Sequence, residues 1–438
     1  MFRKRKFVCF LLLVFFLIAG CSAVPESKSI QNEETKPLNW DQSVSSLKGE
    51  TITVLWTGDP QRKKSLRLFS KKTGIKVKEI SVDYNSLYNK ITVAALSNSS
   101  DIDVIEMDNI WGGQFYEGNI VTDLTNVIPK DYLDKFTKSS VESMSYDNHV
   151  LGIPLYSSTK HFYWNKELLR KANITSAPKT WKEFKEDSKK LKEKGIYASG
   201  WSWKQAESLV SDYVTLLYAF DGRFFDKAGK PVFNQGGGLK ALQYMVDLLN
   251  KDKTVSPASL QWTESDVENA FSSGKIAMMT NWEGIYPEVN DPKKSSVVGK
   301  TDVGLIPGQG KVKSAAVTGT AGVAIAKNSK NKAAALAFLK FIGSKEFQVP
   351  YYLKAGWYPS LETAYKDSEL LKADTIGKLN KIKEQYKYGV DRPNAPGYVN
   401  WSDILAAELH AALRQQKTPK EALNSAVKKI EEAIKGNS

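Results

Sequence analysis

Eleven tryptophans are spread through the 438 residues, and several stand in loops rich in Gly, Ser, Asn and Asp instead of in apolar runs. An indole beside planar polar groups is chemistry suited to a polyhydroxylated ring. The C–H face of the ring packs on the aromatic, and its hydroxyls hydrogen-bond to Asp, Glu, Asn or Arg. A site of this kind rejects analogues that lack a hydroxyl, because its own buried polar atoms then go unpaired. The candidates by position are Trp282 and Glu283 in an Asn-Trp-Glu loop, and Trp401 after Tyr398-Val-Asn. With them go Trp357 and Tyr358 in Ala-Gly-Trp-Tyr-Pro-Ser, Trp201 with Trp203, and Asp59, Asp108 and Trp111 at the ends of expected strands. Trp56, Trp164 and Trp181 read as core.

Other chemistries find little support. The three histidines, His149, His161 and His410, sit in no recognisable motif, and neither HExxH nor a GxSxG nucleophile elbow occurs. Gly236-Gly-Gly238 lacks the Lys-Ser/Thr of a phosphate loop and reads as a turn before a helix. Glycoside hydrolysis needs only two carboxylates in a cleft, and no particular pair is nominated. The two cysteines, Cys9 and Cys21, rule out a disulfide framework in the mature chain and any thiolate metal cluster. Binding without catalysis, and without a cofactor or metal, is the expectation.

These residues need elements to hold them. The β-branched run 51–56, ended by Thr57-Gly58-Asp59-Pro60, predicts a buried strand and a loop. Residues 61–72 carry Leu66 and Phe69 at helical spacing before Gly74, 75–80 alternate as a second strand, 84–96 form a helix, and 103–108 a third strand. Strand, helix, strand, helix, strand is α/β grammar with a mostly parallel sheet, whose ligands bind where loops leave the carboxyl ends of the strands. Capping boxes are expected at Thr180–Glu183 and Thr418–Glu421, and a second capped helix start at Ser402-Asp403. Length favours two domains over one.

The segment "GIPLYSSTKHFYWNKELLRKANI", followed by "PKTWKEFKEDSKKL", resembles the lobe-crossing region of the extracellular sugar-binding proteins of ABC transporters, the maltose-binding-protein-like group. "WSWKQAESLVSDYVTLLYAFDGRFFD", "TESDVENAFSSGKIAMMTNWEGIY", "DVGLIPG", "AGVAIAKNSKNKAAALAFLKFI" and "AGWYPSLETAY" continue the likeness in order over residues 50–438. The resemblance implies a two-lobe, type II periplasmic-binding-protein-like α/β fold with three hinge crossings and a ligand cleft between the lobes. Lobe 1 would take 49–154 plus 321–357, and lobe 2 would take 155–320 plus 358–438. It also implies a carbohydrate ligand, delivery to permease subunits served by a separate ATPase, and stacking roles for Trp282 and Trp401. The alternatives are a lipid-anchored carbohydrate-active enzyme and a sugar-sensing or adhesin lipoprotein.

The N-terminus says where such a protein would work. Arg3 to Lys6 are basic, the following residues are apolar over too short a run to span a bilayer, and Leu17-Ile-Ala-Gly-Cys21 resembles a bacterial lipobox. Residues 1–20 are expected to be a signal peptide and Cys21 the lipidated first residue. Residues 21–48 would be a flexible tether holding the body on the extracytoplasmic face of the cell membrane, in a Gram-positive envelope rather than a periplasm. The formal charge of +14 becomes +10 once the four basic residues of the leader are removed, and the lysines are scattered among acids. That pattern points away from nucleic acid and toward anionic lipid or cell-wall polymer. It leaves room for an acidic ligand such as a uronic acid, which an arginine cluster in the cleft would support. A monomer is expected.

Overall fold

A parallel three-strand core starts the folded chain: β1 (Thr51–Thr57) lies between β2 (Lys76–Val82) and β3 (Val104–Asp108), parallel to both. The computed structural model describes residues 37–374 and 377–436. A hairpin of β4 (Ser145–Tyr146) and β5 (His149–Val150) leads into β6 (Ile153–Pro154). Four strands then build a second sheet: β7 (Lys160–Asn165), β8 (Tyr197–Ser199), β9 (Ile276–Trp282) and β10 (Thr301–Gly304), in the order β10-β7-β9-β8. After β11 (Ala316–Val317) the chain returns to the first sheet as β12 (Ala321–Ile325), giving the order β2-β1-β3-β12-β6. Finally β13 (Gly389–Val390) pairs in parallel with β11. One sheet belongs to each of two lobes, and the chain passes between them through 155–159 and again between β11 and β12.

The first sheet is buried on both faces, which is why β1 reads as a continuous apolar run. Ile52, Val54, Leu55 and Trp56 are all inaccessible. Helix Lys63–Thr73 turns Leu66 and Phe69 inward, and Phe69 meets Phe338 and Phe341 at 5.2 and 5.3 Å between ring centres. Gly74 ends that helix in the left-handed conformation, at φ 74°. Asp83 starts the next helix, Tyr84–Leu96, by accepting the Ser86 N–H at 3.1 Å. The second lobe is built around Phe162, Trp181, Phe184, Trp201 and Trp203, whose rings meet edge-on or stacked. Among the described residues, no helix is long and apolar enough to cross a membrane.

Three sequence expectations need correction. The tether does not run to residue 48, because the chain is already packed at Trp40. That indole lies 4.6 Å from the Tyr132 ring, with the Lys340 ammonium 4.3 Å over its other side. Val44–Leu47 form a short 3-10 turn that buries Leu47. An indole that can bury most of its surface and cover a cation outweighs the polar composition around it. Gly236–Gly238 are the first turn of helix Gly236–Val246 and not a loop before it. A Cβ on Gly238 would lie 1.9 Å from the Phe233 carbonyl oxygen, so glycine is there for close approach. The helix placed after Trp401 starts at Tyr398 and runs to Leu413, with Gly397 as its left-handed N-cap. Residues 1–20, Cys21 and most of the tether lie outside the described residues.

The Thr418 capping box is reciprocal, at 3.3 Å from the Glu421 N–H and 2.9 Å back from the Thr418 N–H. Thr180 caps the Glu183 N–H at 3.1 Å, but Glu183 returns to the Lys179 N–H one residue earlier.

Candidate ligand-binding site

Where β1 and β3 end and β12 begins, the first lobe opens into a cavity of about 320 Å³. Carboxyl ends of parallel strands place loops and free N–H groups around one spot, which is why α/β sheets bind ligands there. Thr57, Gly58 and Asp59 come from the loop after β1, and Glu106, Asp108 and Trp111 from β3 and the turn that follows it. Tyr84 and Leu87 come from the helix after β2, Tyr156 from the first passage between sheets, and Trp357 from the turn after helix Lys345–Ala355. Four of the residues nominated from sequence, Asp59, Asp108, Trp111 and Trp357, therefore line one cavity.

Its walls are aromatic. Trp357 stacks on Tyr156 with ring centres 4.2 Å apart and planes 23° from parallel, and it stays partly open. Trp111 is buried under Tyr84, 5.6 Å away and 23° from parallel. Tyr156 is buried, and burial pushes its phenol well above the ordinary value, so it remains a neutral donor.

The floor is polar and internally wired. Arg62, 2% exposed, donates through Nε to the Tyr351 hydroxyl at 3.0 Å, through Nη1 to the Thr57 carbonyl at 2.9 Å and Glu106 at 3.4 Å, and through Nη2 to Thr57 Oγ1 at 3.3 Å. Its planar face covers the Trp56 ring at 4.3 Å. Burial alone would lower the Arg62 pKa, but Tyr351 and Glu106 more than offset it, and the group stays charged. Glu106 also accepts the Thr57 N–H at 3.0 Å. Asp59 accepts the Gln61 N–H at 2.9 Å and the Tyr351 hydroxyl at 2.8 Å. Asp108 accepts the Tyr84 hydroxyl at 2.8 Å and the Ile110 N–H at 3.3 Å. Glu106 Oε2 is filled by the Thr57 N–H, the Thr57 hydroxyl and Arg62, whereas Asp59 and Asp108 keep unused lone pairs for a hydroxyl donor.

Arg392 joins this floor to the other lobe. It lies 3.6 Å from Asp108, donates to Glu207 at 2.8 Å and to Asn109 at 3.1 Å, and its buried Nε–H has no protein partner. Burial would lower its pKa, but Glu207 and Asp108 raise it well above the ordinary value. Glu207 opens helix Glu207–Ala219 and also accepts from the Tyr398 and Ser402 hydroxyls.

Trp282 stands elsewhere, at the end of β9. It faces Lys160 across the β7–β9 pair, donates Nε1–H to Glu264 at 3.0 Å, and has the Lys160 ammonium 5.4 Å from its ring centre. Lys160 is wholly buried and held by Asp212 at 2.8 Å and Glu264 at 3.1 Å. Gly319 lies flat on the indole: a Cβ there would be 2.7 Å from the ring, so this glycine serves close approach and not flexibility. Glu283 points inward to the passage between sheets. It accepts the Thr159 N–H at 3.0 Å, the Ser158 hydroxyl at 3.2 Å and the Tyr386 hydroxyl at 3.4 Å, and burial pushes it up to about 8.

The remaining nominees are core. Trp201 and Trp203, stacked 5.4 Å apart, and Tyr358, edge-on to Tyr352, are at most 3% exposed. Trp401 packs on Tyr398, Phe224 and Phe225, because it lies inside helix Tyr398–Leu413 and its helical face turns inward. None of the four lines the cavity. Sequence reasoning missed Arg62, Tyr84, Glu106, Tyr156 and Arg392. Glu106 had a signal, since it is two residues before Asp108 on one strand and must share its face. Arg62 closes the turn that starts at Asp59 and so shares its loop, but its partners Tyr351 and Glu106 are distant in sequence. Arg392 had no local signal, because it is brought in from a distant part of the chain.

With that geometry in place, likeness to known proteins becomes informative. The sequence profile described as bacterial extracellular solute-binding protein matches residues 49–349. An arabinooligosaccharide-binding protein of Bacillus subtilis is 24% identical over 98% of this chain and 100% of its own. An sn-glycerol-3-phosphate-binding periplasmic protein of Shigella flexneri is 28% identical over 72% of each chain. Among solved structures, maltose-bound MalE3 of T. maritima superposes with a TM-score of 0.77 and 29% identity, covering 87% of this chain and 99% of that one.

Proposed function

We propose a function from one premise: this chain belongs to the family of bacterial extracellular solute-binding proteins. Members of that family deliver ligands to ABC permeases, and the relatives of this chain are solute-binding proteins and not enzymes. The ligand we assign is a carbohydrate, held in the cavity formed by Asp59, Glu106, Asp108, Trp111, Tyr156 and Trp357. The observation that carries this assignment is the cavity itself, whose one lining combines Trp357, stacked on Tyr156 and partly open, with Asp59 and Asp108, which keep unused lone pairs. Maltose and arabinooligosaccharide in the names of similar proteins support the same class.

In this reading the two lobes use residues 49–154 plus 321–357 and 155–320 plus 358–438, with a third passage near Trp357. Ligand contacts to both lobes drive closure, and the closed form is what the permease recognises. Arg392, between Asp108 of one lobe and Glu207 of the other, is the ion pair through which ligand in the cavity is felt across the cleft. Trp282, at the end of β9, is a second stacking surface. The protein works as a monomer outside the cytoplasm, anchored by lipid on Cys21.

Thermal unfolding against a carbohydrate panel tests the assignment. A ligand that binds only the folded state adds about 2.7 kcal/mol of stability at a hundredfold excess over its Kd. A shift with one oligosaccharide family, smaller in Trp357→Ala and without product formation, is expected. No shift with any sugar refutes the carbohydrate assignment.

A further inference from the structure

We propose that the cavity selects uncharged sugars and discriminates against anionic ones, uronic acids and sugar phosphates alike; this rests on the carbohydrate reading of the site. The chain as a whole is basic, with a formal charge of +14. Its cavity reverses that sign. Three carboxylates, Asp59, Glu106 and Asp108, line it against a single cation, Arg62. Just beyond, Arg392 is matched by Glu207.

Neither arginine offers a free fork. A carboxylate or phosphate is recognised by parallel N–H bonds from a guanidinium, and those bonds specify it only when the guanidinium is unoccupied. Arg62 spends four hydrogen bonds on Tyr351, Thr57 and Glu106 and lays its face on Trp56. Arg392 is bound to Glu207, Asn109 and the Thr318 carbonyl, which leaves its Nε–H and one Nη1–H, donors on different edges of the guanidinium and no parallel pair. A hydroxyl entering the cavity meets acceptors with lone pairs to spare. A carboxylate entering it meets carboxylates. The basic balance of the sequence, which leaves room for a uronic acid, thus belongs to the outer surface.

The experiment is calorimetric titration of the whole protein with neutral pento- and hexo-oligosaccharides of one to four residues, each beside its uronic-acid counterpart, and with a hexose 6-phosphate. The expected result is binding of a neutral sugar and a Kd about tenfold to a hundredfold weaker for its acidic counterpart, the range one like-charge contact gives at a partly solvated site. That ratio should fall toward one as salt rises from about 0.01 M to about 1 M, which shrinks the Debye length from about 30 to about 3 Å. Asp59→Asn should narrow the ratio while weakening the neutral sugar less than the ratio changes. Equal or tighter binding of the acidic member overturns the proposal and leaves carbohydrate binding intact. A ratio indifferent to salt and to Asp59→Asn also overturns it, because the discrimination would then be steric. Binding by no sugar at all removes the carbohydrate reading, and the charge selection with it.

Discussion

Replacing Glu283 by Gln should flatten the alkaline side of the protein's stability profile. The carboxyl is 1% exposed and lies against Ser158 and Thr159, where the chain passes between its two sheets. Burial is the dominant cause of its rise from 4.5 to about 8; hydrogen bonds to Glu283's own backbone, Thr159, Ser158 and Tyr386 pull the other way without cancelling it. Between those two values the folded protein holds a proton that the unfolded chain has released. Stability from this group is therefore fully present below about pH 4.5 and is lost as pH rises through about 8. The limiting slope is about 1.4 kcal/mol per pH unit, or on the order of 4 kcal/mol from about pH 5 to about pH 8. An amide is neutral throughout and can still accept the Thr159 N–H. Urea denaturation of both proteins across that range should show Glu283→Gln at or below the wild type near pH 5 and gaining steadily on it toward pH 8. Parallel curves would mean that Glu283 ionises normally in the fold, and the reasoning from burial would fail.

Other perturbations follow from the same contacts. Trp357→Ala removes the more open member of the Tyr156 stack and should weaken sugar binding by about 1–3 kcal/mol, with a smaller change in ligand-free melting; calorimetry and thermal unfolding together check it. Gly319→Ala forces a methyl into the Trp282 ring and should destabilise the fold by about 1–3 kcal/mol, with a shift in tryptophan emission; an unchanged protein would show that the indole has room to move. Lys160→Met leaves Asp212 buried without its cation and should cost about 3–5 kcal/mol in chemical denaturation, whereas a loss under about 1 kcal/mol would contradict the pairing.

Much of the architecture was legible in local sequence because local physics dictated it. The apolar run of β1, the glycine after Thr73 and the capping residues Thr180 and Thr418 each specify their own element within a few residues. The site was half legible for the same reason. Asp108 ends β3 and Asp59 and Trp111 follow strand ends within three residues, and sheet topology brings such positions together. Failures came where tertiary packing decides. Trp401 was placed ahead of a helix start at Ser402, but Gly397 starts the helix earlier and turns the ring into the core. Trp201 and Trp203 stand among Ser and Gly, yet Trp181 and Phe184 of a preceding helix close over Trp201, which in turn stacks on Trp203. Arg62 and Arg392 decide the charge of the cavity, and nothing local to either foretells its distant partners, Tyr351 and Glu106 for the first, Asp108 and Glu207 for the second.

The most direct test of the central claim is calorimetric titration of the purified protein with neutral oligosaccharides, run in parallel on Asp108→Ala. The predicted result is a one-to-one isotherm with one sugar family at micromolar affinity, about −8 kcal/mol, that Asp108→Ala weakens at least tenfold. A flat titration across the panel, or binding that Asp108→Ala leaves unchanged, would contradict carbohydrate capture in this cavity.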